Sequence, residues 1–407
     1  MQIGLFKIFI SSIFLVFILP QTHAGANTNL LAGNPSFLSE RSSISVLTCE
    51  KTSKYIYALF GHSAIRIKDT ARQIDLVYNY GTFDNDAPDF YINFINGKMK
   101  YSLSVSDYPA FLQEYIINGQ SVSTQTLNLT LKEKNRLFLL INEEIKPANR
   151  FYNYDFVRNN CATKIRDLLA KTLGPDFDHS LSVINTGKGN TVREMVSSYL
   201  AKDELYMFGM NILLGKKTDV ISNKAVSLFL PDTLAKRLDH IQLRNSKLSG
   251  QMTYLYRSAD QKISFLNFDF FRIIFYGLSL GLLMINLLIK DRPVYLNNLI
   301  TIVIFTGISL AGCLLIYLSV FSSLEFVKYN LNILWCHPFY LLLLFKDLRK
   351  PGAIIFLTGI LLFILLYFKT ISFPVTFPVL LLLMVLLSLS FNHNASAGNQ
   401  MKGINLI

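Results

Sequence analysis

The sequence is poor in charge, in cysteine and in tryptophan, and each shortage narrows what the chain can be. Only 16% of its 407 residues are charged, against 51% apolar. The charges crowd into the stretch before about residue 265, and long apolar runs follow it. This uneven distribution predicts a polar domain followed by a membrane region. No dense Lys/Arg stripe with interleaved aromatics occurs, so the formal net charge of +12 does not read as nucleic-acid binding. A basic exported domain beside anionic lipid headgroups accounts for it. The absence of Cys-x-x-Cys and Cys/His spacings removes a zinc-type site, and no cofactor is expected. The string Gly277-Leu278-Ser279-Leu280-Gly281 lies inside an apolar run, so no strand-to-helix Gly-x-Ser-x-Gly elbow occurs; no glycine-rich phosphate loop occurs, and the acidic residues form no persuasive catalytic pair.

The few cysteines carry more information. Cys313 and Cys336 fall in apolar segments and read as packing residues. Cys49 and Cys161 precede those segments, in a compartment that permits a disulfide between them. The alternative is a free, activated Cys161. Its setting, Arg158-Asn159-Asn160-Cys161-Ala162-Thr163-Lys164-Ile165, reads as a helix start capped by Asn159 or Asn160. A thiol there feels the positive end of the macrodipole, which lowers its pKa. Unpaired N–H groups at the same turn can donate to an oxyanion.

His62, in Leu59-Phe60-Gly61-His62-Ser63-Ala64-Ile65-Arg66-Ile67, reads as the start of a strand opened by a glycine turn. It is the candidate base for Cys161. A third group usually holds the imidazole tautomer. Asn79 on the returning strand is the candidate, with Asp75 and Asp84 as alternatives. Arg66 is a candidate for meeting a phosphate headgroup, or else a solvent-facing strand charge.

The first 24 residues read as a signal peptide, with Lys7, an apolar core from Ile8 to Leu19, and cleavage after Thr22-His23-Ala24. No cysteine follows that site, so the mature chain is not expected to be a lipoprotein itself. Residues 25–190 form the thiol-enzyme domain. Strands are expected at 43–48, 63–68, 74–81, 101–105 and 120–129, and helices at 108–118, 131–146 and from Cys161 to Gly174-Pro175. The fold class is therefore α+β. Residues 191–265 read as a helical extension of that domain.

Residues 266–407 read as an all-α membrane domain with five spans, at about 269–289, 297–320, 331–345, 352–369 and 375–391. The third is short and contains Pro338. Lys290 and Arg292 follow the first span, and Lys346, Arg349 and Lys350 the third. These basic loops should be cytoplasmic, which puts residues 25–265 outside. Trp335, His337 and Tyr340 lie near the outer end of the third span.

Several short motifs, in one order, resemble a known family. They are Leu47-Thr48-Cys49, Phe60-Gly61-His62-Ser63-Ala64-Ile65-Arg66, Asn79-Tyr80-Gly81-Thr82-Phe83-Asp84 and Asn160-Cys161-Ala162-Thr163. Phe90-Tyr91-Ile92-Asn93-Phe94, Asn332-Ile333-Leu334-Trp335 and His337-Pro338 extend the likeness. The chain resembles the membrane-bound lipoprotein N-acyltransferases of Bacteroides-type bacteria. It departs from their pattern after Cys49, where Glu50-Lys51-Thr52-Ser53 replaces a Pro-Gly turn. The resemblance implies a permuted papain-like (NlpC/P60-like) periplasmic domain on an inner-membrane anchor. It implies a phospholipid acyl donor, a Cys161 thioester, His62 as base then acid, and a diacylated lipoprotein as acceptor. A membrane-anchored cysteine peptidase or amidase is the rival enzyme, and a binding protein with a decayed site the rival outside catalysis.

Overall fold

The computed structural model describes residues 37–52, 56–83, 89–183, 190–220, 226–259, 270–288, 294–345, 347–367, 376–377 and 379–385. The expected signal peptide and Asp84 lie outside the described residues. The chain divides into two compact units: residues up to Val192 with Ile221–Lys262, and Arg193–Val220 with Ile263 onward.

The first unit is built on one antiparallel sheet. Its strands are β1 (Ser42–Cys49), β2 (His62–Asp69), β3 (Ile74–Thr82), β4 (Lys100–Asp107), β5 (Val122–Thr126) and β6 (Phe151–Asn153). A two-residue hairpin, β7 (Gln242–Leu243) and β8 (Ser246–Lys247), stands apart, and β9 (Thr253–Tyr256) joins the sheet. The strand order is β6-β4-β3-β2-β1-β5-β9. Its helices are α1 (Phe90–Asn96), α2 (Tyr108–Ile117), α3 (Leu131–Glu144), α4 (Cys161–Leu173) and α5 (Pro175–Val183).

Alternation along the strands sends side chains to two faces, and helices cover both. Ile44, Val46, Ile65, Ile67 and Tyr78 point to one face, where Leu137, Phe138 and Ile141 of α3 and Ile165, Leu168 and Leu169 of α4 meet them. Leu47, Cys49, Ala64 and Val77 point to the other, under Phe111 of α2. Each Val, Leu, Ile and Phe among them contributes about 1.5–3 kcal/mol by leaving water. The helix α3 begins with a capping box between Thr130 and Glu133. Gly174 ends α4 as the sequence predicts, but Pro175 opens α5, since the N–H groups of a first turn have no partner within the helix and proline lacks one at no cost.

The sequence pattern of 191–258 predicts helices. The structure has helices there, α6 (Val192–Tyr199), α7 (Glu204–Leu213) and α8 (Pro231–Leu238), but ends in strands. β9 pairs with β5 through Val122–Tyr256, Ser123–Tyr254 and Thr124–Thr253. A short aromatic strand at a sheet edge carries too little period for sequence to separate it from helix. The stretch is also divided between the two units rather than forming one extension, with Arg193–Val220 in the second.

The second unit contains α9 (Phe270–Leu288), α10 (Val294–Phe321) and α11 (Arg349–Tyr367). Residues Ile302–Phe321, at mean hydropathy 2.2, and Arg349–Leu366, at 1.8, are long and apolar enough to cross a membrane. The third expected span is not a helix throughout. It consists of 3-10 turns at Leu331–Leu334 and Pro338–Leu344. Pro338 supplies no N–H, and the Asn330 and Asn332 side chains bond to backbone of Asn211, Ile212 and Leu213. Of the fifth span only residues 376–377 and 379–385 are described, and they are helical. Arg193, 2% exposed, binds Asp219 at 2.5 Å and the Leu214 carbonyl at 2.7 Å.

Candidate active site

Cys161 is the first residue of α4, and the chain on either side fixes it there. Asn160 is the N-cap: its Oδ1 accepts the Thr163 N–H at 3.0 Å, while the Thr163 hydroxyl accepts the Asn160 N–H at 2.8 Å. This is a capping box with threonine in the reciprocal position. Asn160 Nδ2 donates to the carbonyls of Phe156 and Phe229, both at 2.8 Å. Of the two asparagines weighed from sequence, Asn160 caps, whereas Asn159 donates to the Asn153 carbonyl. Upstream, Asp155 Oδ1 accepts the N–H groups of Val157 and Arg158 and closes the turn that leads into the helix.

His62 is the first residue of β2, opposite Cys49 in the register. Gly61 has φ +71°, and a side chain there would lie 2.6 Å from the Cys49 carbonyl oxygen. Only glycine permits this turn so close to β1. Phe60 packs edge-on to Phe156 at 4.8 Å, and Phe156 to Phe229 at 5.4 Å. An aromatic row thus ties the histidine turn to the cysteine turn.

The sheet end brings the two residues together. A methyl on Gly81, at the bulge that ends β3, would lie 3.9 Å from His62 Cε1 and 4.0 Å from Cys161 Cβ. His62 and Cys161 are joined by a side-chain hydrogen bond. Asn79 Oδ1 lies 3.2 Å from His62 Nε2. A carbonyl oxygen can only accept, so Nε2 carries the proton and Nδ1 is left to exchange one with the thiol.

The electrostatics follow from this contact. Burial pushes the Cys161 thiol up, but the His62 charge, the His62 hydrogen bond and the N–H groups of Ser63 and Ala162 outweigh it, so its pKa falls. Burial likewise pushes His62 down, and the Cys161 charge, its hydrogen bond and Asn79 reverse the sign, so its pKa rises. Both shifts run toward thiolate and imidazolium, and the two groups titrate as a unit. Among the described residues no group of His, Cys, Asp and Glu can hold a metal ion.

The remaining sequence candidates are placed elsewhere. Asp75 forms a two-pronged pair with Arg66 at 2.7 Å for each contact, and so does not hold the imidazole. The Arg66 guanidinium also lies over the Tyr108 ring, 3.2 Å from its centre. That arginine is paired and stacked rather than offered to a headgroup. Cys49 and Cys161 are both free thiols. Cys49 is fully buried, and burial raises its pKa well above the usual range despite a hydrogen bond with Tyr115. Sequence reasoning missed Tyr115 and Glu114 on α2, which covers the sheet face that Cys49 points to: Tyr115 bonds to Cys49, and the Glu114 charge adds to the rise of the His62 pKa. Nothing local marks them, whereas the Asp155 turn could have been read from its position ahead of the cap.

Two family models match the chain. The Lnb N-terminal periplasmic domain matches residues 37–198, and the Lnb transmembrane domain matches residues 266–397. No curated protein and no solved structure matches it. The first match contains His62, Asn79 and Cys161, and the second contains α9, α10 and α11. This is a membrane protein with a periplasmic domain, and the chain belongs to the Lnb-type lipoprotein N-acyltransferase family of Bacteroides-type bacteria.

Proposed function

We propose that the chain moves a fatty acyl group from a phospholipid to the α-amine of the N-terminal diacylglyceryl-cysteine of lipoproteins. The observation that carries this reading is the Cys161–His62–Asn79 contact in a domain tethered to a membrane region.

The thiolate of Cys161 attacks the acyl carbonyl carbon of the phospholipid. The first-turn N–H groups of α4 receive the oxyanion. As the carbon–oxygen ester bond breaks, His62 gives its proton to the leaving alkoxide, and lysophospholipid departs. The acyl group is then a thioester on Cys161. The lipoprotein amine attacks that carbon, His62 takes the amine proton, and the carbon–sulfur bond breaks. The products are an amide and the regenerated thiol. Division into two steps lowers each barrier, and Asn79 keeps the imidazole in the tautomer that both require.

The test is the N-terminal acyl state of a reporter lipoprotein in cells depleted of their own N-acyltransferase. Expression of the native chain should give triacylated reporter, and Cys161→Ala only diacylated reporter. Diacylated reporter with both, while the native chain is folded and in the membrane, would sink the transferase reading.

A further inference from the structure

The seven-stranded sheet has two edges, β6 and β9, and one of them runs beside the nucleophile. β6 lies two strands from β3, whose Gly81 sits against His62 and Cys161, whereas β9 lies four strands away on the other side. Neighbouring strands are about 4.8 Å apart, which puts β6 about 10 Å and β9 about 20 Å from β3. The chain also runs directly from β6 into the site. Asn153 ends the strand, the Asp155 turn follows, and Cys161 opens α4. Asn159 Nδ2 donates to the Asn153 carbonyl at 2.6 Å and fixes that turn to the strand.

The inner side of β6 is bonded to β4. The Arg150 carbonyl accepts the Leu103 N–H at 3.0 Å, and the Tyr154 N–H donates to the Met99 carbonyl at 3.1 Å. Tyr152 stands opposite Tyr101 between them. Bonded residues alternate along an antiparallel ladder, so Phe151 and Asn153 aim their N–H and C=O groups outward. Asn159 meets the Asn153 carbonyl. Among the described residues the Phe151 N–H and C=O and the Asn153 N–H have no partner. Both residues are exposed, Phe151 by 53%. A row of outward backbone groups of this kind is a template for a second extended chain.

Three features identify the occupant. Main-chain bonds read no side chain, which suits a partner defined by one modified terminus rather than by a sequence. A strand of three residues is too short to hold two copies of this chain together. It suffices for a peptide whose own lipid holds it in the same membrane, because shared anchoring raises the local concentration. We infer that β6 pairs, strand to strand, with the peptide that follows the lipid-modified cysteine of the acceptor. This rests on the acyl-transfer reading for its physiological meaning. With the acceptor amine at Cys161, roughly three extended residues span the distance to β6, so the fourth to sixth acceptor residues lie along it.

The test uses the full chain carrying Cys161→Ala, in phospholipid nanodiscs, with a synthetic diacylglyceryl-cysteine peptide whose fifth residue bears a diazirine. Irradiation and digestion should place label on the peptide that carries residues 151–153. A single N-methyl group is then moved along the third to seventh residues of the probe. Strand pairing has a period of two, so every second methyl group should lower the label at least fivefold and those between should leave it. Asn153→Pro removes an outward N–H and spares the bonds that Tyr152 and Tyr154 make to β4, a change that an edge strand accepts. It should lower the label as much. Asn153→Ala keeps that N–H and should keep the label. No label on residues 151–153, or label indifferent to where the methyl group sits, overturns the pairing. A shift in oligomeric state with Asn153→Pro would give the edge to a second copy and overturn it too. The label does not depend on turnover. Alternating label beside a native chain that triacylates no reporter would retire the transferase reading alone, and triacylation without alternating label would retire the pairing alone.

Discussion

Asn160 holds the nucleophile in place, and removing its side chain has a cost that can be worked from its contacts. Asn160→Ala deletes the cap on the Thr163 N–H and the two donors to the Phe156 and Phe229 carbonyls. The cap alone is worth about 1 kcal/mol. Each carbonyl deprived of its partner adds about 1 kcal/mol or more, since Asn160 itself is only 5% exposed. The sum is about 3 kcal/mol, or roughly 6–12 °C in melting temperature for a domain of this size. The single tryptophan, Trp335, is in the second unit and does not report on this domain. Cys49 does, because its thiol is fully buried until the sheet opens. Alkylation of Cys49, followed by mass spectrometry along a temperature ramp in detergent, gives the melting curve. Asn160→Ser keeps an accepting oxygen for the cap and loses both Nδ2 hydrogen bonds, so it should fall between native and alanine. An alanine variant that melts within roughly 1–2 °C of the native chain would refute the cap as the device that fixes Cys161.

Three further changes test the site and its frame. The folded-state pKa of His62 is raised, so the imidazolium–thiolate pair persists as pH climbs and is lost above that pKa. Asn79→Ala removes one of the causes. With iodoacetate, an anion that the imidazolium attracts, the Cys161 alkylation rate should then begin its high-pH fall at lower pH, and an unmoved fall would deny Asn79 its role. Asp69 is fully buried and accepts from Ser39 N–H and Ser39 Oγ, both at 2.6 Å, and from Ala71 N–H at 3.1 Å. Burial pushes its carboxyl up, and those hydrogen bonds bring it below the usual range. The stability it contributes is thus present above the unfolded carboxylate pKa and disappears as pH falls through the folded one. Asp69→Asn should melt lower at neutral pH, with the gap closing in acid; a constant gap would contradict the linkage. Gly61→Ala forces a Cβ to 2.6 Å from the Cys49 carbonyl oxygen and adds about 1–2 kcal/mol for the left-handed backbone alone. Reduced melting and reduced Cys161 reactivity together are expected, and a variant with native reactivity would show that the turn does not position His62.

The elements around the site were legible because their signals are local. The alternation of Ile74-Asp75-Leu76-Val77-Tyr78-Asn79-Tyr80 predicts β3 within a residue of its observed end at Thr82. Asn160, Cys161 and the spacing of Ile165, Leu168 and Leu169 mark a helix that begins where the structure begins it. Asn79 was reachable because a returning hairpin strand puts its residues beside those of β2. Arg66 and Asp75 were not, because their pairing depends on a register, Lys68 opposite Asp75 and Arg66 opposite Val77, that composition does not reveal. The broken third span was hidden for another reason. Hydropathy records that Leu331 to Phe345 is apolar, and says nothing of the Asn211 backbone that captures Asn332. A short edge strand such as Thr253–Tyr256 exists only because β5 offers it an edge.

The most direct test of the central claim is the mass of Cys161 in protein purified from membranes that lack acceptor lipoprotein. The account predicts a fatty acyl adduct on Cys161, removed by neutral hydroxylamine as a thioester must be, and much reduced in His62→Ala. An unmodified Cys161 in native protein that is folded and membrane-embedded would contradict it.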